Sequence, residues 1–152
     1  MAQASREPEG DARVSDVERA KVDSRGLYGP IAQELARTTD HFEYNAAQIL
    51  KHHGTYQQDN RDSRSRRKQA GLGFEYRMMV RAKLPGGVLS AEQYLVCDSL
   101  CEKYGQGDFR ITSRQGLQFH GVLKRNLCAL IHDLNRLACI TTSVSYTHLR
   151  AH

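Results

Sequence analysis

Between Phe109 and Gly121 the sequence reads FRITSRQGLQFHG, a short stretch carrying two arginines, hydroxyls, amides and an imidazole. Read as a strand, a two-residue turn at Gln115 and Gly116 and a second strand, it sends Arg110, Thr112 and Arg114 to one face, with Ser113 beside the turn. Phe109 and Ile111 go to the other face. After the turn, apolar Leu117 and Phe119 alternate with Gln118 and His120. Upstream, FEYRMMVRAKL repeats the alternation: Phe74, Tyr76, Met78, Val80, Ala82 and Leu84 are apolar, and Arg77, Arg81 and Lys83 take the polar parity. A guanidinium offers a planar fork of donors to a carboxylate or oxyanion, whereas an ammonium acts as a point charge. With helices covering the apolar side, the open face carries Arg77, Arg81, Lys83, Arg110, Thr112, Arg114, Gln118, His120 and Lys124. Like charges across a ladder repel, so this face calls for an anion. Nucleic acid, an anionic cofactor and a small oxyanion all remain open on residue types alone.

Other reactive side chains read more plainly. Cys97 and Cys101 have a C-x3-C spacing, yet both fall on the apolar stripe of a helix and are expected to be buried core residues. No metal site is expected from them. His53 and His120 are of a type that is often merely half-buried, and Met78 and Met79 fit strand packing.

Three strands and two helices must hold the basic face. Pro85, Gly86 and Gly87 turn the chain after the first strand, and Ser90 with Gln93 predicts a capping-box start to a helix presenting Tyr94, Cys97, Leu100, Cys101 and Tyr104. Gly105 ends that helix. Asn126 is expected to cap a last helix with Leu127, Leu130, Ile131, Leu134, Leu137 and Ala138 at helical spacing. The order β-α-β-β-α predicts an α+β fold, a ferredoxin-like split βαβ half-domain over residues 73–142. Strands one and two are expected to be parallel, strand three antiparallel beside strand two, and the covering final strand missing. Residues 27–72 are expected to hold short helices, from Pro30 and over Tyr44 to Lys51, then a long polar loop HHGTYQQDNRDSRSRRKQAG. Residues 1–26 read as a disordered, charged lead-in. Residues 143–152, SVSYTHLRAH, continue neither periodicity and look like adapter or vector read-through, so a longer natural chain and no stable contact of this tail are expected.

The formal net charge of +5 is concentrated: residues 61–83 hold 8 basic and 2 acidic side chains, which favours one anion-binding region over a generally basic protein. No apolar run approaches a membrane span, and no secretory h-region opens the chain, so a cytoplasmic or organelle-stromal location is expected. Stacking platforms for single-stranded nucleic acid need exposed aromatics. Here Phe74, Tyr76, Phe109 and Phe119 are all on the inward parity, and nucleic acid is not expected.

The wording of HHGTYQQDNRD, MVRAKLPGG and FRITSRQGLQFHGVLK, in that order, resembles the N-terminal part of the sirohaem-dependent nitrite/sulfite reductases, above all the sulfite reductase haemoprotein, from about Leu27 to Thr142. The resemblance implies six-electron reduction of sulfite to sulfide, on a sirohaem coupled through a cysteine to a 4Fe-4S cluster, with ferredoxin or a flavoprotein as electron donor. Nitrite is the alternative substrate. It further implies that Arg81, before PGG, contacts the substrate anion, and that Arg110, Thr112, Ser113, Arg114, Gln118 and His120 surround the polycarboxylate macrocycle. Gln57, Gln58 and Arg61 would join from the preceding loop. The cluster cysteines and catalytic lysines of the family match nothing in this chain, which by itself is expected to be inactive.

Overall fold

A computed structural model describes residues 15–142; the expectations for residues 1–14 and for the tail 143–152 lie outside the described residues. The chain forms an antiparallel sheet with its two longest helices packed on one face. Five strands build the sheet: β1 (Thr55–Asp59), β2 (Tyr76–Lys83), β3 (Phe109–Ile111), β4 (Leu117–Val122) and β5 (Thr141–Thr142). Their order is β1-β2-β4-β3, with β5 also on β2. Strand β4 therefore lies between β2 and β3 and is antiparallel to both. As expected of a split βαβ unit, β2 and β3 run parallel, and β4 pairs antiparallel beside β3 in the space between them. The edge expected to stay uncovered is shared, since β1 pairs with the first part of β2 and β5 with Ala82 and Lys83.

Helices α5 (Ala91–Tyr104) and α6 (Leu127–Ala138) cover the inner face, where Met78, Val80, Ala82, Leu117, Phe119 and Val122 meet Cys97, Leu100, Cys101, Leu130 and Leu134 in one buried cluster. The capping box of α5 forms as its sequence requires, with Ser90 Oγ accepting from Gln93 N and Gln93 Oε1 accepting from Ser90 N. Asn126, by contrast, makes no side-chain cap for α6, because a 3-10 turn over Lys124–Asn126 leads into that helix and places Asn126 in helical backbone.

Three polar segments fold where sequence periodicity gives no sign of it. Helix α1 (Asp16–Asp23) forms within the expected lead-in, capped by Ser15 and braced by a Glu18–Lys21 pair at 2.7 Å; it buries no residue of its own but packs on α3 (Tyr44–Leu50). A short helix α2 (Ile31–Leu35) stands between them. The expected long loop contains both β1 and helix α4 (Arg61–Gln69). Asn60 caps α4 by accepting from Asp62 N, and Asp62 in the first turn and Arg66, Arg67 and Lys68 in the last sit at the ends that the helix dipole favours, Arg61 at the start being the exception. Glu75 secures it, accepting from Ser63 Oγ at 2.7 Å and Asn60 Nδ2 at 3.3 Å while pairing with Arg77. These bonds hold the Glu75 carboxyl below the usual carboxylate range, the Ser63 hydroxyl first and Arg77 next.

Two departures from strict alternation matter for the outer face. Met78 pairs with Val122 but Val80 with Phe119, so β4 carries one extra residue, a bulge at His120 and Gly121. Gly121 adopts φ +71°, and a Cβ there would lie 2.7 Å from the Cβ of Gln106. Beyond the bulge the parity flips, Val122 turns inward, and Lys124 is buried instead of joining the basic face. Its Nζ donates to Thr39 Oγ1 at 2.7 Å beside the Phe42 ring, and burial pushes the ammonium below its ordinary value. The hairpin, too, turns through Ser113, Arg114 and Gln115, not through two residues, because Thr112 pairs with Gly116: Thr112 N donates to Gly116 O at 2.8 Å. Ile111 is exposed at the end of edge strand β3, and Phe74, ahead of β2, is exposed as well.

Candidate functional site

On the outer face, register alone sets Arg81, Gln118 and Arg110 side by side, since Arg81 pairs with Gln118 and Gln118 with Arg110. Neutral Gln118 spaces the two guanidinium-bearing residues by two strand separations, about 9.5 Å. At that distance their repulsion is roughly 0.4 kcal/mol in the dielectric of water and roughly 1.7 kcal/mol at an effective dielectric of about 20. The row is therefore affordable without an anion and well disposed to one.

Arg81 is only partly exposed. Its Nε is buried with no hydrogen-bond partner, and its guanidinium lies 5.6 Å from the centre of the Tyr56 ring. Tyr56 comes from β1, opposite the buried Met79. Sequence reasoning missed Tyr56 because β1 was read as loop, although a Thr-Tyr pair after a glycine turn is an ordinary strand start. Arg110 is exposed, and among the described residues no carboxylate pairs with it.

His120 follows Gln118 on the same face, its Nε2 lying 3.4 Å from Gln118 Oε1. Half-burial lowers the imidazole pKa below its ordinary value, Arg110 adds to this, and Asp108 partly opposes it. The ring is thus neutral near pH 7, with one nitrogen donating and one accepting.

At one end of the row a cleft of about 880 Å³ opens, with Gln58, Arg61, Arg64, Arg77, Arg110 and His120 among its walls. Arg64 and Asp59 neutralise each other, as do Arg77 and Glu75. Arg61 brings an exposed cation from the first turn of α4. Gln57 also borders the cleft, but both ends of its amide are committed to Phe42, accepting from the backbone N at 2.6 Å and donating to the O at 3.0 Å.

At the other end stands the turn Ser113–Gln115. Thr112 is occupied in closing it, its Oγ1 accepting from Gly116 N at 3.0 Å, while Ser113 and Arg114 are exposed at the tip. The structure thus brings Arg81, Arg110, Gln118 and His120 onto one continuous face and sets Thr112, Ser113 and Arg114 on the turn beyond it, outside the cleft.

Cys97 and Cys101 face away from all of this. Both are fully buried, and burial pushes their thiols up to about 11 and about 12. Thiols kept protonated by burial and sealed in an apolar core are poor metal ligands. Among the described residues no group of three or more histidines, cysteines or carboxylates is placed to hold a metal ion.

Residues 73–137 match the family described as the nitrite/sulfite reductase ferredoxin-like half domain. The chain is 43% identical over 134 residues to the sulfite reductase (NADPH) hemoprotein beta-component of Acidithiobacillus ferrooxidans, a match covering 88% of this chain and 24% of that protein. It is 41% identical over 122 residues to the sulfite reductase (ferredoxin) of Synechococcus elongatus, covering 80% of this chain and 19% of the relative. The chain thus spans about a quarter or less of the relatives it matches. Among solved structures, the NirA protein of Mycobacterium tuberculosis shares the fold with a TM-score of 0.62 at 16% identity, over 82% of this chain and 24% of that one.

Proposed function

The chain belongs to the nitrite/sulfite reductase family through its ferredoxin-like half domain, and from that premise we propose that its arginine-bearing sheet face is one wall of a site for sirohaem and sulfite. The parent activity is the six-electron reduction of sulfite to sulfide. The observation that carries this reading is the Arg81–Gln118–Arg110 row, with a buried, unpartnered Nε on Arg81. A buried donor without an acceptor costs about 1–3 kcal/mol and is retained where a ligand supplies the acceptor.

The donor set fits the rim of a polycarboxylate macrocycle, being rich in guanidinium, hydroxyl and amide groups. It does not fit the iron or the cluster, whose ligands must come from elsewhere in the parent protein. When bound, sirohaem with its coupled 4Fe-4S cluster would pass to the substrate the electrons taken from the electron donor. This chain's residues bind, orient and polarise. Arg81 faces the sulfite oxyanion and stabilises negative charge as S–O bonds lengthen; a guanidinium releases no proton at physiological pH, so its role is electrostatic. Arg110 and Arg114 pair with macrocycle carboxylates, while Thr112, Ser113 and Gln118 add neutral hydrogen bonds. His120, neutral and half-buried, lends one donor and one acceptor next to Gln118. Arg61 and Gln58 flank the same ligand from the α4 side.

Sulfite is preferred to nitrite because the relatives at about 40% identity are named sulfite reductases. Both an NADPH-linked and a ferredoxin-linked protein stand among them, and the electron donor of the parent is one of these two kinds. Nucleic acid is disfavoured: the ring nearest the arginine row, Tyr56, already carries the Arg81 guanidinium over it.

The test is titration of the chain with sirohaem, followed by the visible absorption of the pigment. Arg110→Ala and Arg114→Ala should weaken binding about tenfold each. Arg81→Ala should leave sirohaem binding within about threefold. In a chimaera, with this segment replacing its counterpart in the Acidithiobacillus ferrooxidans protein, Arg81→Ala should cut sulfite reduction by the equivalent of about 2.7–4 kcal/mol, as loss of one oxyanion donor does. Sirohaem binding that is indifferent to all three arginines overturns the proposal.

A further inference from the structure

The turn Ser113–Gln115 is seated against the loop that follows β2. Gly87 in that loop has φ +70°, and a Cβ built on it would lie 2.8 Å from Gln115 Cδ and Oε1 and 2.9 Å from Gln115 Cβ. The first two atoms could swing away. The third could not, because Cβ is fixed to the backbone, so relief would require the whole turn to move. Gln115 is itself in the left-handed region at φ +58°, where a residue other than glycine is held only by its surroundings. Its N donates to Thr112 O at 2.9 Å, closing the turn behind it. The next residue, Gly116, is as tight: a Cβ there would stand 3.1 Å from the carbonyl oxygen of Ala82. Two contacts therefore register the hairpin tip on the end of β2, next to Arg81.

We infer that Gln115 is a positioning residue, a key in the space left by Gly87, which fixes the tip bearing Ser113 and Arg114 relative to Arg81. The backbone strain and the glycine are two halves of one device: a side chain on Gly87 would exclude Gln115, and a glycine in place of Gln115 would leave the tip free to move. The functional half of this inference rests on the sheet-face reading above; the mechanical half does not.

The experiment is a double-mutant cycle on the full chain. Gly87→Ala alone should lower the melting temperature by several degrees. In a Gln115→Gly background the same change should cost less than half as much, because the overlap is gone. Gln115→Gly alone should leave the melting temperature within about two degrees, yet raise amide exchange at Thr112, Gln115 and Gly116 at least tenfold. An additive cycle, or unchanged exchange at those amides, overturns the key whatever happens to the ligand. With sirohaem as probe, Gln115→Gly should weaken binding about fivefold and Gln115→Asn, shorter but tolerant of the left-handed backbone, less than twofold. If Arg114→Ala weakens sirohaem binding and Gln115→Gly does not, the positioning role is wrong. If neither does, Arg114 is no sirohaem contact and the positioning role fails with it, Arg110→Ala then deciding the sheet-face reading, while the cycle still judges the contact.

Discussion

Replacing Arg81 by methionine should make the ligand-free chain more stable and the ligand site worse. Methionine keeps the unbranched stem, so no large cavity opens, and its flexible thioether fills the space that the guanidinium leaves. The change deletes the buried Nε that has no partner, a gain of about 1–3 kcal/mol. It removes repulsion along the row worth up to roughly 1.7 kcal/mol. Against these stands the loss of the cation over Tyr56, about 0.5–1 kcal/mol at a partly exposed position. The net expectation is stabilisation by roughly 0–4 kcal/mol, centred near 2 kcal/mol. For a chain of this size each kcal/mol moves the melting temperature by about 2–4 °C, so the central value corresponds to a rise of about 4–8 °C in a circular-dichroism melt. Sulfite should concurrently cease to protect the chain against heat. A fall of several degrees would refute the reasoning, since it would mean that Arg81 is structural and its Nε satisfied within the fold.

Stability should fall as pH drops through the window between the lowered pKa of His120 and the ordinary value of 6.5, because there the unfolded chain binds a proton that the folded chain resists; His120→Gln should flatten this limb in urea midpoints measured from pH 7.5 to 5. The Cys97→Ala, Cys101→Ala double variant should lose about 2 kcal/mol, each thiol counting as one methyl-sized group in a closed core, and iron-sulfide reconstitution of the unsubstituted 152-residue chain should give no stoichiometric cluster; a cluster that disappears with either cysteine would overturn the core assignment. Gly121→Ala should cost roughly 2–3 kcal/mol by urea titration, combining the left-handed backbone penalty with overlap on Gln106; a cost under about 0.5 kcal/mol would mean that the bulge is soft.

Much of the fold could be read from apolar spacing, and what could not shares one cause. Strand β2, helix α5 and helix α6 each bury a periodic set of side chains, so their sequence pattern and their packing are the same fact. Helices α1 and α4 have no such set. Caps from Ser15 and Asn60, the Glu18–Lys21 and Arg64–Asp59 pairs and the hydrogen bond from Ser63 to Glu75 hold them, and those signals are only a residue or two long. The face of Arg81, Gln118 and Arg110 followed from parity because the register there is regular. Lys124 was misplaced because a single bulged residue at Gly121 inverts every side chain after it, and nothing in LQFHGVLK apart from the glycine announces this. Strand order was beyond parity altogether: whether β4 lies inside or outside β3 depends on which edge the crossover helix reaches, and the alternation is the same in both cases.

The shared edge of β2 also bears on how the chain is made. Val80 finds its outer partner, Thr55, already synthesised, while Ala82 must wait for Thr142. On the ribosome, the Tyr76–Val80 half of this strand can acquire its β1 neighbour early. The Ala82–Lys83 half, next to Arg81, keeps exposed backbone donors and acceptors until α6 has emerged and β5 follows. A nascent chain is therefore most open to wrong strand pairing at the binding end of β2, and slower translation across α6 would lengthen that interval.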